Sequence, residues 1–221
     1  MDDPAAEIRR AWKALAGAGQ DAAVEDLLAR QAEPHRRYHT AAHVMWVLRH
    51  VDDLLAAGDH SDSGQPIDRD VLIAAALFHD AIYDPGSTTN EADSARLAVS
   101  RLRSLGWSDG RLGEVGELIE ATAGHTASTA TACILLDADL AVLGADPDDY
   151  RDYVAGVRFE YSHVPEEQWR VGRAAVVRGF LERPNIFATP WMAARREQRA
   201  RSNLAAEMRT LAGVRPRSPL D

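Results

Sequence analysis

His79 and Asp80, two residues that can bind and polarise, close an unbroken apolar run from Val71 to Phe78, with Tyr83 and Asp84 just beyond. Burying a carboxylate beside an imidazole in such surroundings costs several kcal/mol per ion unless something positive compensates it. A metal cation does so while using both side chains as ligands. The dipeptide alone is too common to carry that reading, so its context must. Upstream lie His39, His43 and His50, which on one continuous helix would share a side. Val44, Val47, Leu48 and Val51 turn that side inward, which makes His43 either a satisfied core histidine or a ligand. A third apolar stretch, Leu135 to Leu143, contains Asp137 and Asp139. Helical positions two apart point to nearly opposite sides, so the two are not expected to reach one ion together. Asp139, with Leu135, Leu136, Val142 and Leu143 as helical neighbours, needs a cation if it is buried. The plain alternative for either aspartate is a helix-breaking cap or an arginine partner.

Taken jointly, the three segments supply two imidazoles and two carboxylates: His43, the His79-Asp80 pair, and an aspartate at 137 or 139. That donor set suits an octahedral divalent ion with open positions, such as Mn, Fe, Co or Ni, better than a thiolate zinc site. A metal so held lowers the pKa of a bound water and polarises a phosphoryl oxygen.

The order His43, His79-Asp80, then a late aspartate resembles the signature of the HD superfamily of metal-dependent phosphohydrolases. Tyr38-His39-Thr40-Ala41-Ala42-His43-Val44, His79-Asp80-Ala81-Ile82-Tyr83-Asp84, Asn90-Glu91 with Ser94-Ala95, and Leu136-Asp137-Ala138-Asp139-Leu140 are similar to a small bacterial branch of it. The likeness runs from about Pro34 to Leu211 and includes Glu160-Tyr161, Gly172-Arg173 and the stretch Ala200 to Leu204. The resemblance implies a helical HD-type fold, a divalent ion (Mn, Fe, Co, Ni, Mg or Zn, with room for a second) and ligands His43, His79, Asp80 and Asp139. It favours Asp139 over Asp137, because the last ligand of such proteins typically follows alanine and precedes an aliphatic residue or arginine. His39 then reads as a branch-specific addition near the metal. The implied activity is hydrolysis of a phosphomonoester or phosphodiester, plausibly a nucleotide, by a metal-activated water. Two rival functions fit the same signature: a two-iron oxygenase, for which His39 and His125 would be extra ligands, and a non-catalytic nucleotide-binding module stabilised by its metal.

Other side chains are candidates for the chemistry. His125 could serve a second metal or a phosphate, or simply end a helix, where a cation suits the dipole. Asp84 and Glu91 bracket the loop after the metal pair, and either could orient the attacking water, or act as a turn residue or helix N-terminal charge. Glu160, Tyr161 and His39 are candidates to line the substrate pocket. Arg173 and Arg201 could each grip two phosphate oxygens, although the arginine-rich stretch 195–201 reads first as a solvated helix face. Trp46, Trp107, Trp169 and Trp191 read as packing residues.

The elements that must position these groups are helical throughout. Apolar periodicity predicts helices near 5–18, 21–32, 39–57, 68–82, 91–105, 108–123, 128–143, 147–161, 165–182 and 193–212, joined by short Gly, Pro and Asp punctuation. Asn90 is the expected N-cap of the fifth. Alternating β-branched strand patterns are absent, so the expected fold is a compact all-α bundle. Its domain is expected over 1–214, with a metal-binding core about 34–145, helices 147–212 packed on it, a surface loop between Gly58 and Pro66, and a frayed tail over 215–221. One cysteine among 221 residues excludes an intrachain disulfide and suggests a reducing cytoplasm. The acidic N-terminus does not read as a signal peptide, and no apolar stretch suggests a membrane span. A net charge of −9 argues against a general nucleic-acid surface and fits a small phosphorylated substrate held through a metal. A homodimer is compatible with the sequence.

Overall fold

The computed structural model describes residues 3–58 and 66–213. Most of the loop expected between Gly58 and Pro66, and the tail expected over 215–221, lie outside the described residues. The described chain is all-α: α1 (Pro4–Ala16), α2 (Asp21–Gln31), α3 (Ala41–Ala57), α4 (Arg69–Phe78), α5 (Asn90–Ser104), α6 (Asp109–Ala121), α7 (Ala130–Asp139), α8 (Pro147–Glu160), α9 (Glu166–Glu182) and α10 (Pro190–Leu211), with a 3-10 turn at Leu140–Gly144 after α7. No strand occurs among the described residues. All ten expected helices are present.

Helix α4 is the hub. Every residue from Val71 to Phe78 is buried, so it is apolar on all sides, as a helix enclosed by others must be. It packs against α1, α3, α5, α6 and α7. Asp68 starts it by accepting hydrogen bonds from the Asp70 and Val71 backbone N–H groups. Amphipathic neighbours bury one stripe each: Ile8 and Trp12 from α1, Val44, Val47, Val51 and Leu54 from α3, Ala98 and Leu102 from α5. Trp12 meets Phe78 edge-on, with ring centroids 5.9 Å apart.

Of the boundaries that differ from the sequence expectation, three fall at candidate residues. Helix α3 starts at Ala41, with Thr40 as N-cap, so His39 lies in the preceding loop and not on the helical side of His43. Helix α4 stops at Phe78, and the His79-Asp80 pair forms the turn beyond it. Helix α7 ends at Asp139, where the backbone tightens to the 3-10 turn. Thr89, not Asn90, is the residue before α5; the Asn90 side chain instead pairs with the Asp84 backbone through both its oxygen and its nitrogen.

The arginines of 195–201 are only partly a solvated face: Arg195 and Arg199 are exposed, yet three of the four arginines also reach carbonyls outside their own helix. Arg196 donates to the carbonyls of Ala141 and Gly144, Arg199 to Gly144, and Arg201 to Leu181, Arg183 and Pro184. They satisfy carbonyls left open where the 3-10 turn and α9 end. Gly144 lets α10 come this close, since a Cβ there would stand 2.5 Å from Arg196 Cβ and 2.9 Å from its carbonyl oxygen. Gly144→Ala should therefore lower stability by about 1–3 kcal/mol, the usual range for overpacking. Chemical denaturation would read this as a lower midpoint at unchanged slope.

Candidate metal centre

Three chain segments deliver the candidate ligands to one point. His43 lies in the first turn of α3, His79 and Asp80 in the turn after α4, and Asp139 at the end of α7. His43 Nε2 stands 3.1 Å from His79 Nε2. Asp139 Oδ1 is 3.2 Å from the first and 3.6 Å from the second. Asp80 Oδ2 is 3.4 Å from His43 Nε2 and 3.0 Å from His79 Nε2. The ligand atoms of His43, His79 and Asp139 all lie within 4.8 Å of one another, a group that could hold a metal ion; Asp80 reaches both imidazoles but falls outside that set. Donors sharing one ion at about 2.0–2.1 Å stand roughly 3.0–3.4 Å apart, so the spacing fits.

The orientation of His79 is fixed by its own helix. Its Nδ1–H donates to the Ala76 carbonyl at 2.9 Å, which leaves Nε2 as the ring nitrogen facing the centre. The two imidazoles are enclosed, with side chains 2% and 1% exposed. A mouth remains, because the side chains of Asp139, Asp80, His39 and His125 keep 13, 19, 20 and 25% exposure. Burial raises the carboxyls of Asp80 and Asp139, yet the histidines around them overcome this and hold both well below the usual carboxylate range. Burial depresses the His79 imidazole, but the two carboxylates outweigh it and hold it well above its ordinary value. The centre thus keeps two negative charges in a nearly dry place and draws in positive charge.

Asp137 points away from this point. Its carboxylate accepts from the backbone N–H groups of Ala188 and Thr189 at 2.8 and 2.7 Å and from the Thr189 hydroxyl at 2.6 Å. Thr189 in turn caps α10 by accepting from the Met192 N–H. The two aspartates do face opposite ways, and Asp139 is the one at the centre. His50 is a satisfied core histidine: Nδ1 donates to the Trp46 carbonyl and Nε2 accepts from Arg196.

Among the remaining candidates, His39 and His125 border the centre. The His39 ring lies 5.7 Å from that of His43, and His125 Nε2 is 3.0 Å from Asp139 Oδ2. Glu160 is buried and fully engaged. One oxygen accepts the consecutive backbone N–H groups of Arg37, Tyr38 and His39, and the other accepts His39 Nδ1–H at 2.7 Å and the Tyr83 hydroxyl at 3.0 Å. It anchors the loop before α3. Tyr161 packs on Trp169 and His163. Arg173 is taken up by a bidentate buried pair with Glu207 and by the Tyr153 hydroxyl. Asp84 is exposed and accepts from the Gly86 N–H, a turn role, and Glu91 sits in the first turn of α5.

Arg36 was not singled out by sequence reasoning. Its fully buried guanidinium donates to the carbonyls of Asp80 (2.6 Å), Ala81 (3.2 Å) and His39 (3.3 Å), tying the His-Asp turn to the loop before α3. Ser94 of α5 holds the same turn through the N–H of Ile82. An arginine two residues after Pro34 carries no sequence signal of this kind.

Comparison of the chain with protein-family models, with curated proteins and with solved structures gives no match. The likeness to the HD superfamily therefore rests on the motifs themselves.

Two predictions follow from these geometries. Asp137→Ala leaves three donors unpaired and should destabilise the fold by about 2–4 kcal/mol in urea titration, without moving His43, His79 or Asp139. For Glu160, burial raises the carboxyl, but His39 and the loop N–H groups bring it down from 4.5 to about 2. A depressed carboxylate stabilises the fold above its unfolded pKa and loses this as pH falls toward the folded value. Glu160→Gln should cost on the order of 2–3 kcal/mol at pH 7, and that gap should shrink to less than about half by pH 3. A gap independent of pH in paired denaturation curves would contradict the assignment.

Proposed function

We propose that this protein is a metal-dependent phosphohydrolase that cleaves a phosphate ester, with His43, His79, Asp80 and Asp139 holding one divalent ion. The observation that carries the reading is the meeting of His43 Nε2 and His79 Nε2, 3.1 Å apart, between the two aspartates. Two imidazoles and two carboxylates, with no thiolate among them, match the donors preferred by Mn, Fe, Co or Ni. The ion would supply Lewis-acid polarisation of a phosphoryl oxygen and an activated water.

The chain's own residues do the rest. His79 is kept in one tautomer by Ala76, and Arg36 fixes the turn that presents Asp80. The partly exposed groups around the centre, His39, His125, Asp80 and Asp139, are all polar, which suits an oxygen-rich substrate bound through the metal rather than an apolar one. The groove of about 710 Å3 between α9 and the end of α10, lined by Val171, Ala174, Met208 and Leu211, holds none of these groups.

Metal analysis of the purified protein, run with a panel of phosphorylated metabolites, tests this reading. The expectation is one divalent ion per chain and hydrolysis of at least one ester, read as inorganic phosphate from a monoester or as a new phosphomonoester from a diester. His79→Ala and Asp80→Ala should each lose the ion and lower turnover by more than about 100-fold, beyond the 10–100-fold typical of an outer-sphere partner. Full metal and full activity in both variants would refute it. Two irons per chain with an oxygen-requiring activity would favour oxygenase chemistry instead.

A further inference from the structure

His125 is the only non-glycine residue with a positive φ among the described residues, at 46°. Such a backbone costs a β-carbon residue on the order of 1–3 kcal/mol and persists only where the surroundings enforce it. Arg183, the residue after α9, enforces it here. Its Nη1 donates to the His125 carbonyl at 2.8 Å and its Nη2 to the Gly124 carbonyl at 3.0 Å. The same guanidinium lies over the Phe180 ring at 4.6 Å, and the His125 ring meets that phenyl edge-on at 5.9 Å.

The strained turn delivers His125 Nε2 to Asp139. That nitrogen lies 3.0 Å from Oδ2, while Oδ1 of the same carboxylate faces His43 and His79. An aspartate at the end of a helix can rotate and offer either or both oxygens. One oxygen engaged by a fixed N–H donor leaves the other to the centre in a single orientation.

We infer that His125 is a positioning residue that holds Asp139 with Oδ1 alone directed at the metal, and that Arg183 is the strut that keeps His125 in place. The inference rests on the metal-centre reading above and adds a control on it from α9. His125 then acts through Asp139 and is not itself a ligand.

The test uses Co2+ on the intact chain, with affinity read by chelator competition, stoichiometry by titration, and coordination by the visible absorption of the bound ion. The parent should bind one Co2+. His125→Gly relieves the backbone strain and removes the donor. It should weaken Co2+ binding by about 10–100-fold and change the Co2+ absorption, while the metal-free melting temperature stays within a few degrees of the parent's. His125→Gln, which restores an N–H donor, should recover part of the affinity and spectrum. Arg183→Met, which removes both carbonyl contacts, should shift the spectrum in the same direction as His125→Gly. Unchanged affinity and spectrum in His125→Gly, beside a parent that binds one ion, would overturn the positioning role and leave the centre standing. A parent that binds two ions, one of them lost in His125→Gly, would overturn it by making His125 a ligand. A parent that binds no Co2+ or other divalent ion would bring down the centre itself, and this inference with it.

Discussion

Two aspartate carboxylates and two histidine rings share one nearly dry point where α3, α4 and α7 converge, and the fold is arranged around keeping them there. Carboxylates in such surroundings must stay charged and matched or be expelled. Here each is matched by both histidines at 3.0–3.6 Å. The apolar hub α4 makes this both necessary and feasible. Its buried flanks exclude water, and its last turn offers the Ala76 carbonyl that sets the His79 tautomer.

Around that point the structure uses three buried polar anchors, each of which ties the backbone of a loop. Arg36 holds the His-Asp turn by its carbonyls, Glu160 holds the loop before α3 by three successive N–H groups, and Asp137 holds the entry to α10. Loops cannot be buried without such partners. Gly156 complements Glu160 one helical turn earlier on α8, since a Cβ there would stand 3.1 Å from Tyr38 Cβ. These anchors explain how residues far apart in sequence are held together without a disulfide.

The helices were legible in the sequence because their apolar stripes are long and regular, and α4 was legible as a hub because it has no polar side. The pairing of His43 with His79-Asp80, and the opposition of Asp137 and Asp139, could be read from residue type and helical phase. What could not be read is where helices stop. His39, His79-Asp80 and Asp139 all sit at ends that periodicity places two to four residues too far out, because tertiary contacts of Arg36, Glu160 and Arg196 compete with continued helix. Nor does sequence show the partners of Glu160 and Arg173: the first is engaged by the loop before α3, the second by Glu207 and Tyr153, since buried anchors and binding groups share the same residue types.

The most direct measurement is an anomalous difference map from a crystal of the intact protein soaked in Mn2+. The account predicts one strong peak in contact with His43 Nε2, His79 Nε2, Asp139 Oδ1 and the Asp80 carboxylate. Side chains in this arrangement with no peak among them at saturating Mn2+, or a peak elsewhere only, would contradict it.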